Sequence, residues 1–308
     1  MSKERILITG ANGFTGQHAC SHFLNNGYEV IALKRNQQHT DQLSQDQVQS
    51  ILCDLTDEEA IANVIKETKP DYILHAAGKN DVMESWQNPS MYLKANVMAT
   101  IHLLEGVRKY KSDTRVLVVG SALEYNPTQR PNHPYGLTKT FQSLISKSWQ
   151  TLFNLSIIIA KPTNLIGAGP SRGFCSLLAE RIVKLEKYNI YEPLQVYHPN
   201  QVRDFLDIRD CLKAYEILLK KGDIGEVYPI GTGNFHSLKE VINQYQLLTS
   251  VPVPVEIMDQ NHKLANKNGH SVYEHGLDLS KIRKLNWNPS IPFSSSLNSI
   301  LSYYRQKL

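Results

Sequence analysis

The chain has 308 residues, 41% of them hydrophobic and 20% charged, the proportions of an ordinary globular protein, which exclude a disordered, collagen-like or membrane-embedded chain. Its 33 basic and 29 acidic residues leave a formal charge of +4. That excess marks no nucleic-acid partner, which takes a clustered basic stripe. The cysteines Cys20, Cys53, Cys175 and Cys211 lie far apart and form no C-x-x-C, which reads as reduced, buried thiols of a cytoplasmic protein. The N-terminus is too short and too polar for a signal peptide. The longest apolar run, LSIIIA, is about six residues, where a bilayer span takes roughly 20.

In chain order, apolar runs fall at 5–10, 28–33, 48–53, 71–77, 115–121 and 155–161. They are rich in Val, Ile and Leu without alternation, as in parallel strands covered on both faces. Amphipathic stretches at 57–68 and 91–110 separate them, and the polar stretch at 36–49 reads as a surface loop. Such alternation predicts an α/β fold with a doubly wound parallel sheet. After Pro162 the rhythm breaks. Helical segments at 173–187, 208–221, 237–249 and 294–306 mix with short strands at 194–197, 226–231 and 254–258. The expected organisation is a dinucleotide-binding domain at 1–162 and a smaller α/β substrate-binding part at 163–308, interleaved and not independently folding.

The first run ends in T-G-A-N-G-F-T-G, which places Gly10, Gly13 and Gly16 between a strand and a helix. Gly10 suits a tight turn. Gly13 lets the backbone approach a pyrophosphate, and Gly16 lets the helix pack on the strand, so the helix N-terminus faces the phosphates. The alternative is a glycine-rich turn with no ligand. Gly167, Gly169 and Gly173 also cluster, at the wrong spacing. At the end of the second run stand Lys34 and Arg35, where an acid would bind the ribose of NAD. Two cations suit a 2′-phosphate, with no carboxylate to repel it; this favours NADP(H) over NAD(H), unless the pair is two solvated surface charges. Asp54 either accepts from the adenine amino group or caps the helix starting near Asp57.

Tyr135 and Lys139 form Y-x-x-x-K, which puts both side chains on one helical face. The ammonium is then expected to lower the phenol pKa and prepare Tyr135 for proton exchange. Ser121, at the end of the fifth run, is placed to hydrogen-bond a carbonyl or alkoxide beside it, or simply ends the strand. A second such pair, Tyr303 and Lys307, sits at the C-terminus and is read as incidental. The 11 histidines form no H-E-x-x-H or H-x-H, so no metal site is expected. His75 and Trp287 are read as structural.

The segments GANGFTG, CDL, HAAG, ANVMAT, GSALEY, PYGLTK, KPTNLIG, VRDFLDIRD and NWNP together resemble the extended short-chain dehydrogenase/reductases, the nucleotide-sugar epimerases, dehydratases and reductases. Within them, KPTNLIGAGPSRGF, RDFLDIRDCLKAY and the Lys34–Arg35 pair are most similar to the GDP-4-keto-6-deoxy-mannose reductases and GDP-mannose 4,6-dehydratases. The resemblance covers essentially the whole chain. It implies a Rossmann fold and a catalytic triad of Ser121, Tyr135 and Lys139. It implies a cofactor site that adds Asn12, Phe14, Thr15, Leu55, Ala76, Ala77, Gly78 and Pro162 to the glycines, Lys34, Arg35 and Asp54. It also implies that Asn164 contacts a sugar nucleotide, that Arg203 contacts its diphosphate, and that the protein is a homodimer built through the helices near 91–110 and 132–152.

Three departures from that pattern stand out. Ala122 and Leu123 follow Ser121 where dehydratases carry an acid, and the first acid is Glu124. The Ser121–Tyr135 interval is 14 residues, shorter than in extended members. No Arg-Pro-x-Asp is evident in 266–278. The expected activity is NADPH-dependent reduction of a 4-keto nucleotide sugar. The alternatives are a 4-epimerase with tightly held cofactor and a non-catalytic NADP(H)-binding regulator. Neither a nucleic-acid nor a membrane partner is expected.

Overall fold

The computed structural model describes residues 3–36, 48–258 and 276–308. The core of the predicted loop at 36–49 and most of 266–278 lie outside them. The elements run β1 (Arg5–Thr9), α1 (Phe14–Asn25), β2 (Glu29–Lys34), β3 (Gln49–Leu52), α2 (Glu58–Thr68), β4 (Tyr72–His75), α3 (Val82–Gln87) and α4 (Pro89–Tyr92). A π-helical stretch (Leu93–Met98) then leads into α5 (Ala99–Tyr110), β5 (Arg115–Val119), α6 (Pro134–Phe153) and β6 (Ile157–Pro162). After these come β7 (Asn164–Ile166), α7 (Phe174–Tyr188), β8 (Leu194–Val196), β9 (Val202–Asp207), α8 (Ile208–Lys221) and β10 (Val227–Ile230). The chain closes with β11 (Phe235–Ser237), α9 (Leu238–Gln246), β12 (Val255–Ile257), α10 (Ser280–Lys284) and α11 (Phe293–Lys307).

Two compact units result: Met1–Lys161 with Leu212–Tyr228, and Pro162–Cys211 with Pro229–Leu308. The boundary near Pro162 that the sequence suggests is therefore crossed twice more. Most of α8 and the start of β10 return to the first unit because β10 supplies the last strand of its sheet.

That sheet has seven strands in the order β10-β6-β5-β4-β1-β2-β3. The pairs β1–β2, β2–β3, β1–β4, β4–β5 and β5–β6 are all parallel. Order reverses beside β1, so β1 and β4 flank a topological switch point, where an open α/β sheet leaves a crevice at its carboxyl edge. The inner strands β1, β2, β4, β5 and β6 are apolar on both faces because both are covered, while the edge strand β3 is largely exposed. Leu7, Ile31, Leu33, Ile73, Val116 and Ile157 pack against Ile61, Ile65, Leu103 and Val107 of α2 and α5, and each fully buried aliphatic side chain contributes about 1.5–3 kcal/mol. α2 begins where Asp57 accepts from the Ala60 N–H. α6 begins with Pro134 in its first turn and the His133 ring accepting from the Gly136 N–H.

In the second unit, β11-β9-β7 and β12-β8 form two small sheets. A core of Leu178, Ile182, Val183, Val241, Leu297, Ile300 and Leu301 joins α7, α9 and α11. Three buried aspartates organise the connections. Asp204 accepts from the Thr163 hydroxyl and from the Thr232 and Gly233 N–H groups. Asp207 accepts from Arg209 and the Ser296 hydroxyl. Asp210 accepts from the Ser290 and Ile291 N–H groups, and its carbonyl from the Trp287 indole. Burial alone would raise the Asp207 pKa, but its bonds to Arg209 and Ser296 outweigh that and hold it low.

Candidate active site

The turn after β1 shows why its glycines are glycines. Gly10 has φ +69°, and a β-carbon there would lie 2.8 Å from the Ala77 Cα. At Gly16 a β-carbon would lie 2.1 Å from the Gly10 carbonyl oxygen, so α1 sits directly on the strand end. Gly13 is the N-cap of α1, is exposed, and offers no side chain to satisfy the helix's first N–H groups. A glycine turn that leaves the first turn of α1 without a side-chain cap, on the amino end of a helix dipole and beside the switch point, fits a dinucleotide pyrophosphate. The Ala77 N–H is bonded to the Thr9 hydroxyl, which holds Ala76–Gly78 against the same turn. Phe14 and Thr15 open α1.

At the ends of β2 and β3 the sequence expectations need correction. Arg35 is exposed, but it does have a carboxylate for company. Asp54 is held below its usual pKa by the Thr56 N–H and hydroxyl, with the Arg35 charge adding to them. Asp54 does not cap α2; Asp57 does. The Asn12 amide donates to the Asn36 carbonyl at 2.9 Å and so ties the Arg35–Asn36 segment to the glycine loop. Leu55 is partly buried in the core, and its carbonyl lies 3.2 Å from His102 Nδ1.

Ser121, Tyr135 and Lys139 come together in the first unit, all buried. Ser121 follows β5, and the other two stand one turn apart on α6. The Ser121 side chain is close enough to the Tyr135 phenol to pull its pKa down. Lys139 Nζ donates to the Val119 carbonyl at 2.7 Å and to Gln142 Oε1 at 2.8 Å. A β-carbon on Gly78 would lie 3.8 Å from that Nζ, so the predicted cofactor segment and the lysine adjoin. The expected lowering of the phenol pKa is not what this arrangement produces. Burial pushes Tyr135 up to about 12, with the Ser121 side chain working the other way and Glu124 adding to the rise. Burial pulls Lys139 down to about 8 against the opposing pull of Glu124.

A buried hydrogen-bond chain holds the lysine. Gln142 Nε2 donates to the Thr100 hydroxyl, which donates to the Asn96 carbonyl. His75 Nε2 also meets Thr100 Oγ1, and Nδ1 meets Thr9 Oγ1, each at 2.9 Å. Since Thr100 has already given its proton to Asn96, the ring is neutral with the proton on Nε2. Burial first, and the Lys139 charge second, pull the His75 pKa to about 3, so it stays neutral. The structural reading of His75 stands.

Two site residues escaped the sequence reading. Asn96 lies in the π-helical stretch that interrupts the predicted 91–110 helix. It is fully buried and bonds the Lys79 backbone through both amide atoms and the Thr138 hydroxyl through Nδ2. Its signal was a polar residue among the apolar positions of an amphipathic helix. Glu124 is the other. It is the first acid after Ser121 in the chain, and its carboxylate accepts from the Ser121 N–H and the Ser143 hydroxyl, both at 2.9 Å.

Asn164 and Arg203 belong to the second unit, as does Pro162, which ends β6. The Asn164 amide donates to the Asp204 carbonyl, and Arg203, partly buried on β9, donates to Gln201 Oε1.

A profile described as the NAD dependent epimerase/dehydratase family matches residues 6–231. The chain is 25% identical to the GDP-6-deoxy-D-mannose reductase of Pseudomonas aeruginosa over 99% of its own length and 98% of that protein. It is 25% identical to the dTDP-glucose 4,6-dehydratase of Haemophilus influenzae over 97% of each. Among solved structures, the UDP-glucose 4-epimerase of Thermotoga maritima with UDP-glucose superposes with a TM-score of 0.84 at 22% identity, covering 98% of this chain and 99% of that one. RMD from Pseudomonas aeruginosa complexed with NADPH gives 0.79 at 23% identity, covering 99% and 100%.

Proposed function

The chain belongs to the NAD-dependent epimerase/dehydratase family, and from that premise we propose that it reduces a 4-keto, 6-deoxy nucleotide sugar with NADPH. The observation that carries this reading is the Tyr135 phenol, buried with Ser121 and one helical turn from Lys139, where burial pushes its pKa up to about 12. A phenol kept in its acid form suits a group that gives a proton to a carbonyl oxygen.

NADPH supplies the hydride for the keto carbon. Ser121 donates a hydrogen bond to the same carbonyl oxygen, which stabilises the charge that develops there. Lys139, fixed by Val119 and Gln142, holds the nicotinamide ribose beside Gly78. Gly10, Asn12, Gly13, Phe14, Thr15 and Gly16 hold the pyrophosphate, with Ala76, Ala77, Leu55 and Pro162 along the cofactor. Lys34 and Arg35 face the 2′-phosphate. Asn164 and Arg203 hold the sugar nucleotide. Glu124 has its oxygens committed to Ser121, Ser143 and Lys161, so it is not a loose base for eliminating water, which weighs against dehydration.

The reading is tested by mixing the protein with NADPH and a 4-keto-6-deoxy nucleotide sugar. Loss of NADPH equal to the alcohol formed is the expected result. Interconversion of 4-hydroxy epimers with no net loss of NADPH would replace it with a 4-epimerase. Arg35→Ala is expected to weaken NADPH about tenfold, or about 1.4 kcal/mol, and NADH by less than about twofold. Equal weakening in fluorescence titrations of both would remove Arg35 from the 2′-phosphate.

We also place the protein in the cytoplasm, in keeping with four buried free thiols. Among the described residues no helix is long and apolar enough to cross a membrane. A homodimer is proposed through α5 and α6, where Phe141 and Leu144 are exposed on α6 and Met98 just before α5. A monomeric mass by light scattering would exclude it.

A further inference from the structure

Glu124 is a buried carboxylate in a site whose chemistry does not otherwise call for one. Its side chain is 4% exposed, and it pairs with Lys161 Nζ at 2.8 Å. Burying a carboxylate is costly unless every oxygen is bonded, and here they are: the Ser121 N–H and Ser143 hydroxyl on Oε1, the Lys161 ammonium on Oε2. The surroundings are cut to admit it. A β-carbon on Gly120 would lie 2.3 Å from Oε1, so any side chain at 120 would push the carboxylate out of this position. The tight turn from Ser121, closed by the Glu124 N–H on the Ser121 carbonyl at 3.2 Å, folds the side chain back under the serine that starts it. The Leu123 N–H in that turn bonds Ser121 Oγ.

We propose that Glu124, paired with Lys161, is a positioning residue of the proton-transfer site: it fixes the Ser121 backbone that presents the hydroxyl to Tyr135, and it places a buried negative charge in the site that holds Tyr135 and Lys139. This rests on the reading of Ser121, Tyr135 and Lys139 as the proton-transfer group. The charged and titratable groups facing it are Tyr135 and Lys139 on α6 and Lys161 on β6. His133, stacked on Tyr135 at 5.9 Å, has its pKa lowered by burial, with its Nδ1 taken by the Gly136 N–H.

The signs follow from Coulomb's law. A carboxylate beside a phenol opposes the phenolate, and beside an ammonium it favours the cation, so Glu124 adds to the rise that burial gives Tyr135 and opposes the fall that burial gives Lys139. Glu124→Gln keeps the shape and an acceptor for the Ser121 N–H but removes the charge. It is expected to move the basic limb of kcat, set by Lys139, down by about one pH unit, and to lower kcat about tenfold with NADPH binding retained. Lys161→Gln removes the offsetting cation and is expected to move the limb the opposite way. Lys161 is 29% exposed, so this second variant keeps the test open should Glu124→Gln not fold.

A parallel readout needs no substrate: the phenolate absorbance of Tyr135, taken as the difference from the Tyr135→Phe protein in each background. It is expected to fall to lower pH in Glu124→Gln and to stay at or above the wild-type position in Lys161→Gln. A limb and a phenol that stay put in Glu124→Gln, or that move in the same direction in both variants, overturn the proposal. Opposite movements in a protein that reduces no keto sugar leave Glu124 in place and overturn only the substrate reading.

Discussion

Tyr135→Phe is expected to lower kcat for keto-sugar reduction about 10³-fold while NADPH binds with little change. A positioned general acid contributes typically about 10²–10⁴-fold, and the substitution removes the proton without removing the ring. The ring is buried and meets Tyr92 edge-on at 6.4 Å and His133 in a stack, so phenylalanine keeps that packing. The Lys139 bonds to Val119 and Gln142 do not pass through the phenol and survive. The glycine cradle lies on another turn. Steady-state kinetics with a cofactor titration separate the two effects. A variant within about tenfold of wild type would remove Tyr135 as the acid. The pH dependence carries a matching expectation. With the phenol protonated up to about 12, the acid itself stays loaded across the neutral range. The basic limb belongs to Lys139, whose charge is lost as pH rises through about 8.

The second large effect concerns stability. Asp204→Ala is expected to cost about 3–5 kcal/mol. The carboxylate is fully buried, and its removal strands the buried Thr163 hydroxyl and unpairs the Thr232 and Gly233 N–H groups, which lie nearer solvent. An unsatisfied fully buried donor costs about 1–3 kcal/mol, and a partly exposed one less. The cavity left behind adds to that. Asp204→Asn keeps one acceptor and is expected to lose about half as much. Denaturant unfolding followed by circular dichroism, run on both, is the check. A loss under about 1 kcal/mol for the alanine variant would mean that water replaces the carboxylate.

What the sequence showed plainly was periodic. The six apolar runs became parallel strands because covered strands have no polar face to hide, and Y-x-x-x-K is close in space because a helix repeats. Gly10 and Gly16 were legible because their neighbours leave no room for a β-carbon. Features set by tertiary closure were not legible. The strands β7 and β11 are three residues each, and the V-R-D-F-L-D run of β9 buries aspartates that read as polar, because their partners, such as Thr163 and Ser296, come from distant parts of the chain. The helix expected at 91–110 has the right amphipathic spacing yet opens into a π-helical stretch around Asn96, which no count of apolar positions reports. Glu124 reaches the Ser121 N–H because a tight turn folds it back, and no spacing in the sequence reports that turn. The expected effect of Lys139 on Tyr135 had the pairing right but left out desolvation, which outweighs a neighbouring charge at a fully buried phenol.

The return of the chain at Leu212–Tyr228 bears on how the protein is made. β6 lies one strand in from the edge formed by β10, and residues 162–211 of the other unit and most of α8 are synthesised before β10 exists. During that interval Ile-rich β6 is the open border of the sheet. An unpaired border of that kind is a template for pairing with another chain, so the nascent protein passes through a sticky stage that ends when Val227–Ile230 emerges. A fragment cut at residue 162 would never leave it. The cofactor half looks contiguous on paper, but it is not a module that can be lifted out by trimming the C-terminus.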